Sequence, residues 1–243
     1  MKALILAGGQ ATRLRPITHN IPKCLLTIGK KTILDFQLDT LAQNGITDVI
    51  IVTGFKAETI KEHVTKRGGN IQITFVHNAR YETTRAAYGL WVAREHFTEP
   101  TIYLNSDLLC DPLIFRKLIE CPQSSATAVH RNTWDEEEVN VIVDAEQNIT
   151  EIGKLIPEDK SWGEFIGATK FSKEFLDGLV RALDVSLGAG KADIFAADAI
   201  NSAINNFGQT MYALDVTEHT AIEIDTIQDF EDGKLLWQKY EDA

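Results

Sequence analysis

The stretch Lys2-Ala3-Leu4-Ile5-Leu6-Ala7-Gly8-Gly9-Gln10-Ala11-Thr12-Arg13-Leu14-Arg15-Pro16, followed shortly by Pro22-Lys23-Cys24-Leu25-Leu26, decides how the rest of this chain is read. Lys2–Ala7 is a short apolar run of strand type, and it ends on two adjacent glycines. Paired glycines leave main-chain N–H groups unshielded by side chains, and such a concavity holds phosphate oxygens. Arg13, Arg15 and Lys23 add the positive charge that a triphosphate needs, and Pro22 fixes the backbone just ahead of Lys23. A Walker loop is excluded, because no Gly-Lys-Ser/Thr follows Gly8 or Gly9 at the required spacing. A dinucleotide fingerprint is excluded too, because positions 8–13 hold an adjacent pair of glycines rather than three spaced ones. Two glycines by themselves would equally make a plain surface turn. The ordered basic residues behind them favour the phosphate cradle.

Outward from this stretch, apolar runs alternate with helical patterns. Lys2–Ala7, Asp48–Thr53, Ile71–His77 and Thr101–Asn105 read as strands. Thr32–Gln43 sets Leu34, Leu38 and Leu41 on one helical face, with Gly45 behind it as a C-cap. Lys56–Lys66 and Thr84–His96 read as the next two helices. Strand–helix–strand repetition requires a parallel sheet covered on both faces, and ligands of such sheets bind beyond the carboxyl ends of the strands. The Gly8 loop and Asp107 both stand at such ends. Further on, Ala126–His130, Val139–Val143 and Phe165–Phe171 read as strands, some antiparallel. Ser172–Leu187, Asp193–Asn206 and about Thr226–Tyr240 read as helices. No stretch has the composition of a linker, so residues 1–243 are expected to form a single α/β domain, a Rossmann-like, mostly parallel sheet flanked by helices.

Charge narrows the partners. Lys plus Arg number 24 against 35 Asp plus Glu, a formal net charge of −11. Such a chain, with no basic block, is not expected to bind nucleic acid, whose affinity comes from phosphate neutralisation. Anionic ligands must be drawn in by a local basic pocket, and the first 31 residues supply one. Cys24, Cys110 and Cys121 are odd in number and show no metal-ligand spacing, so they read as reduced thiols. The N-terminal apolar run is too short for a signal peptide, and no stretch approaches the ~20 apolar residues that span a bilayer. A cytoplasmic protein without membrane association is expected; oligomeric state is not legible.

Two aspartates carry the remaining chemistry. Asp107 closes the fourth strand, in Asn105-Ser106-Asp107-Leu108-Leu109. Asp111, just ahead of Pro112, is the better helix cap, which leaves Asp107 without a structural task. Asp225 lies in Ala221-Ile222-Glu223-Ile224-Asp225-Thr226, an alternating run that feeds the last helix. Helix capping by Asp225 or Thr226 and metal binding by Asp225 both stay open. Mg²⁺ takes one or two carboxylates together with phosphate oxygens and waters. Two aspartates far apart in sequence meet that need, with Glu223 as a supporting or capping carboxylate.

Taken in order, Leu6-Ala7-Gly8-Gly9, Arg13-Leu14, Pro16-Ile17-Thr18 and Pro22-Lys23-Cys24-Leu25-Leu26 resemble the signature of the nucleotidyltransferases that join a nucleoside triphosphate to a phosphorylated small molecule. Ala11 departs from it, standing where many members carry glycine. Glu223-Ile224-Asp225-Thr226 through Phe230 resembles the closing pattern of the cytidylyl-transferring branch, and the chain as a whole is most similar to the phosphocholine and phosphonate cytidylyltransferases. The resemblance implies a nucleotidyltransferase fold of the GT-A-like type, with residues to about 110 binding nucleotide and residues 111–243 binding acceptor and completing the metal site. It further implies Mg²⁺ on Asp107 and Asp225, and CTP bound by Leu6, Ala7, Gly8, Gly9, Arg13, Lys23, Thr84 and Asp107. Arg13 would neutralise the β- and γ-phosphates and Lys23 the α-phosphate, the two catalytic residues.

Acceptor recognition is thinner. Ile149–Lys154 resembles the family's central strand, whose lysine contacts the acceptor phosphate, and Gly163–Ser172 resembles the segment lining the acceptor pocket. Lys154, Lys170 and Glu164 are the acceptor residues so implied, each equally at home on a solvated surface. Asn78, Tyr81, Thr84 and Leu90 fit a segment of the phosphocholine and phosphonate enzymes, but Arg85-Ala86 replaces its two asparagines and Gly89 its serine. Arg85 is therefore a further acceptor residue, suited to an anionic or amino-acid-like partner. Trp134, Trp162 and Tyr212 could form a cage for a quaternary ammonium or serve as ordinary core. Phosphocholine, aminoethylphosphonate and phospho-amino acids are the acceptor types expected. The rivals are a sugar-1-phosphate nucleotidyltransferase using UTP or dTTP and a non-catalytic nucleotide-binding regulatory subunit.

Overall fold

A computed structural model describes residues 1–131 and 134–241. The chain opens with β1 (Lys2–Ala7), the two-residue strands β2 (Thr27–Ile28) and β3 (Lys31–Thr32), and helix α1 (Ile33–Gln43). Then follow β4 (Asp48–Thr53), α2 (Ala57–Arg67), β5 (Gln72–His77), α3 (Ala86–Val92), β6 (Thr101–Asn105), β7 (Leu108–Cys110) and α4 (Pro112–Glu120). The second half holds β8 (Ala126–Arg131), β9 (Asn140–Val143), β10 (Ile149–Gly153), β11 (Gly163–Phe171), α5 (Lys173–Gly188), α6 (Ala196–Phe207), β12 (Tyr212–Asp215), β13 (Ala221–Glu223) and α7 (Ile227–Glu241).

The expected parallel sheet is present: β6, β1, β4 and β5 lie side by side in parallel register. β11 joins the β6 edge antiparallel and carries β8 and β9, while β12 runs parallel to β8. Alternation along β1 shows how both faces are covered. Ala3, Ile5 and Ala7 enter one core with residues of α1, α2 and α4, whereas Leu4 and Leu6 enter the other with residues of α3, α5 and α6. Local sequence fixes the helix starts. Thr32 and Asp35 form a capping box on α1, Asp111 accepts from the Leu113 N–H ahead of Pro112 in α4, and Ser172 caps α5. Among the described residues no helix is long and apolar enough to cross a membrane.

The third expected helix is shorter than its pattern suggests. α3 begins at Ala86, because Arg85 is extended and its N–H donates to the Ala192 carbonyl, and it ends before a separate 3₁₀ turn over Arg94–His96. Thr84 and Arg85 thus stand outside the helix.

A third, smaller apolar cluster matters most for the site. Leu14, Leu26, Ile28, Ile33, Phe36, Leu109, Ile224 and Phe230 pack together, with the Trp237 ring edge-on to Phe36 at 4.7 Å. Each fully buried aliphatic side chain of this kind contributes about 1.5–3 kcal/mol. Their burial ties the start of the chain to its last helix, more than 200 residues away in sequence.

Candidate active site

The glycine loop leaves the carboxyl end of β1 as expected. Ala11 adopts the left-handed conformation, φ 48° and ψ 52°, which accounts for the preference for glycine there. The strain is held by two bonds on its carbonyl, from Leu14 N–H at 3.1 Å and Thr18 Oγ1 at 2.7 Å. The turn that follows aims Arg13 at the end of the sheet. Pro22 then delivers Lys23 beneath it, with Cys24 and Leu25 buried as anchors.

Asp107 sits in the turn between β6 and β7, and that turn is clamped from α1. Gln37 is wholly buried, and its Nε2 donates to the carbonyls of Asn105 (2.8 Å) and Leu108 (2.9 Å), the two residues that bracket Ser106-Asp107. Nothing in sequence reasoning singled out Gln37. A glutamine in the apolar register of Leu34, Leu38 and Leu41 was the available signal.

β13 pairs antiparallel with β7, matching Glu223 to Leu108, and the Ile224 N–H donates to the Asp107 carbonyl at 3.1 Å. This ladder brings Asp225 beside Asp107. Thr226, not Asp225, takes the capping role: Asp229 N–H donates to Thr226 Oγ1, and Asp229 Oδ2 accepts from the Thr226 and Asp225 N–H groups. The Asp225 carboxylate is left to face the cavity.

There the charges converge. Lys23 Nζ lies 2.6 Å from Asp107 Oδ2 and also bonds Asp225 Oδ1, while Arg13 reaches Asp225 Oδ2 at 2.6 Å. Burial works against the charged form of Lys23, but Asp107 and Asp225 outweigh it and hold its pKa above the usual lysine value. Burial likewise opposes ionisation of Asp225, yet Lys23, Arg13 and Lys154 hold it below the ordinary carboxylate range. Glu223 behaves oppositely. Part-buried and close to Asp107, its carboxyl is pushed well above the usual range, burial being the larger cause, despite a bond from Asn105 Nδ2 at 2.6 Å. Gly167, at φ 74°, makes room for that pair, since a Cβ there would lie 2.4 Å from Glu223 Oε1.

A cavity of about 390 Å³ opens above these groups. Its wall includes Leu6, Ala7, Gly8, Gly9, Arg13, Lys23, Thr84, Asp107 and Asp225, so every residue expected at the nucleotide and metal reaches one space. Asn78 and Tyr81 line it as well. Asn78 Nδ2 donates to Thr84 Oγ1 (3.1 Å) and its Oδ1 accepts from the Arg80 N–H (2.9 Å), which fixes the loop after β5.

The acceptor residues separate. Arg85 lines the cavity; Lys154 does not, its Nζ donating to the Glu137 carbonyl while its charge acts on Asp225 and Glu138. Glu164 lies on β11 in register with His130 and Asn140 and does not line the cavity. Lys170 is not brought to the site. It is buried at the opposite end of β11, and its Nζ donates to the carbonyl of Cys121, the residue that closes α4, at 2.5 Å. The three candidate cage rings also stay apart. Trp162 packs on the α3/α5/α6 core under Arg131, Tyr212 lies against the opposite core and bonds Gln147, and Trp134 donates to the Ile156 carbonyl.

Residues 2–153 match the nucleotidyl transferase family. The chain belongs to that family. As a nucleotidyltransferase it is 25% identical over 231 residues to the choline-phosphate cytidylyltransferase of Streptococcus pneumoniae, with 95% of each chain covered. It is 29% identical over 197 residues to the CTP:phosphoglutamine cytidylyltransferase of Campylobacter jejuni, covering 74% of this chain and 76% of the relative. The solved structure of the Streptococcus pneumoniae CTP:phosphocholine cytidylyltransferase superposes with a TM-score of 0.80 at 22% identity, over 97% of this chain and 98% of that one, and shows the same fold.

Such enzymes commonly use a divalent metal. Among the described residues no group of three or more His, Cys, Asp or Glu is arranged to hold one. Two carboxylates nonetheless fit a Mg²⁺ that takes its other ligands from phosphate and water. Asp107 Oδ1 is buried without a hydrogen-bond partner, and the opposite oxygens of Asp107 and Asp225 already meet on a single cation, the Lys23 ammonium.

Proposed function

We propose that this nucleotidyltransferase transfers a cytidylyl group from CTP to a small phosphorylated or phosphonate acceptor and releases pyrophosphate. The observation that carries the reading is the convergence of Lys23, Asp107 and Asp225 in the cavity walled by Gly8 and Gly9. The activities of the two cytidylyltransferase relatives, together with the Glu223–Thr226 motif, favour CTP over UTP or dTTP.

An oxygen of the acceptor's phosphate attacks the α-phosphorus of the nucleotide. A new P–O bond forms as the bond to the β-phosphate oxygen breaks, and the electron pair leaves with pyrophosphate. A phosphate monoester is already largely a dianion at neutral pH, so no general base is needed. Catalysis then rests on positioning and charge. The Gly8 and Gly9 main chain cradles the triphosphate, Arg13 neutralises its β/γ end, and Lys23 meets the charge at the α-phosphate. Asp107 and Asp225 would hold Mg²⁺, which when bound supplies further positive charge to phosphate oxygens. Loading requires an exchange of partners, because Lys23 and Arg13 must leave the aspartates for the phosphates. Lys154, whose charge acts on Asp225, would meet the acceptor phosphate.

Pyrophosphate release with Mg²⁺, scanned over five nucleoside triphosphates and a pooled set of acceptors, tests the reading. Release confined to CTP is expected. Release with UTP or dTTP and a hexose 1-phosphate would transfer the protein to the sugar-nucleotide enzymes.

A further inference from the structure

Arg85, part of the cavity wall, belongs to a group of three side chains of distant origin whose other members, Phe195 and Lys154, stand behind that wall. Phe195, at the start of α6, carries the Arg85 guanidinium 4.5 Å from its ring centre and the Lys154 ammonium 5.2 Å from it. The backbone fixes this grouping. Arg85 N–H donates to the Ala192 carbonyl and Ala87 N–H to that of Ile194, so the segment before α6 is docked onto the start of α3. Asp193 in that segment bonds Arg85 through Nε. Among the described residues nothing bonds the terminal Nη1/Nη2 fork of Arg85, and Arg85 is part of the cavity wall.

An aromatic ring attracts one cation strongly through its quadrupole. Here Phe195 already meets two, so a cationic ligand group approaching it gains little from the ring and is repelled by Arg85 and Lys154. A planar anion finds the reverse. The open edge of Arg85 offers two parallel N–H donors, the geometry that binds a carboxylate in bidentate fashion. Asp193 shows that a carboxylate fits beside this guanidinium. That pair is exposed, with 47% of the Arg85 side chain and 71% of the Asp193 side chain open to solvent, so it yields readily to a ligand.

We infer that the acceptor bears a carboxylate in addition to its phosphate, and that Arg85 binds that carboxylate while Lys154 faces the phosphate. The inference rests on the cytidylyl-transfer reading and names the class within it: phosphorylated amino or hydroxy acids, rather than phosphocholine or aminoethylphosphonate. Arg85 sets specificity and takes no part in bond making.

The experiment uses the full chain with Mg²⁺ and each nucleoside triphosphate against acceptors that differ only in the tail. O-phosphoserine is compared with its carboxamide, with phosphoethanolamine and with phosphocholine. The carboxylate acceptor is expected to have at least tenfold higher kcat/KM than the other three. Arg85→Ala should erase that preference by raising the KM for the carboxylate acceptor, leaving the KM for the nucleotide unchanged, and Arg85→Lys should restore part of it. Preference for the carboxamide or an ammonium tail overturns the inference and leaves cytidylyl transfer standing. A rise in nucleotide KM in Arg85→Ala overturns it as well, by assigning Arg85 to the nucleotide. Release with another nucleotide but the same tail preference corrects CTP and supports the carboxylate. No release with any pair, in a protein that folds, overturns both.

Discussion

Lys23 and Arg85, both in the wall of one cavity, make the same kind of contact, a cation beside a carboxylate, and the two contacts behave differently because of burial. At the phosphate end, only 12% of the Lys23 side chain is exposed, locked between two aspartates. At Arg85 the contact is exposed, with 47% of its side chain and 71% of that of Asp193 open to solvent. Enclosed charges interact strongly and are costly to leave unpaired, whereas an exposed pair contributes about 0–1 kcal/mol. The first arrangement suits chemistry common to a whole family of reactions. The second can change from one acceptor to another without disturbing the fold.

Breaking the phosphate end should have the largest effect. Asp107→Ala or Asp225→Ala should lower kcat by about 10³-fold or more, measured as pyrophosphate release, since each removes one of the two carboxylates proposed to hold Mg²⁺. Retention of turnover within tenfold would remove the metal role. Lys23→Ala should lower kcat by about 10²-fold, and a cost of only a few-fold would sink its place at the α-phosphate.

Gln37 tests whether the buried end is rigid by design of its surroundings. Gln37→Leu strips the donors from the Asn105 and Leu108 carbonyls, so about 1–3 kcal/mol of stability should be lost in denaturant unfolding. Turnover should fall by about tenfold at saturating substrates, as the Asp107 turn loosens.

The same end should show its electrostatics in pH. Asp225 has a lowered pKa, so its pairing contributes stability above the unfolded carboxylate value and loses it as pH falls through the folded one. Lys23 has a raised pKa, so its contribution is complete below the unfolded lysine value and is lost as pH rises through the folded one. Glu223 acts the other way. Its raised pKa means that stability declines as pH climbs from the unfolded carboxyl value toward the folded one. Glu223→Gln keeps an oxygen for Asn105 and should raise the melting temperature near pH 8, flattening the profile between acid and neutral pH.

The smallest effects belong outside the buried end. Asp193→Asn should cost under about 1 kcal/mol and improve binding of carboxylate acceptors a few-fold, by freeing Arg85. Lys170→Met should leave kcat within twofold while costing about 1 kcal/mol, because only the bond to the Cys121 carbonyl is lost.

Lys154 and Lys170 show what motif reading can and cannot reach. Both lie in segments that resemble acceptor-binding ones, and nothing in their local sequence separates them. The register of β11 does. Lys170 pairs with Ile102, near the start of β6, while ligands gather at the other end of that strand. The Trp134, Trp162 and Tyr212 cage fails for a related reason, since Trp162, just ahead of β11, and Tyr212, on β12, pack against different cores.

The sequence by itself determined the glycine cradle, its basic companions, the alternation of strand and helix, and the two aspartates. These are local: a strand ending in paired glycines, or a proline ahead of a lysine, has its consequence within a few residues. Only the tertiary structure decided that Thr226 rather than Asp225 caps α7, that Gln37 clamps the Asp107 turn, and that Phe195 gathers Arg85 and Lys154. Each depends on groups from separate elements meeting when apolar surface is buried, as Phe36 and Trp237 do, and no local pattern encodes such a meeting.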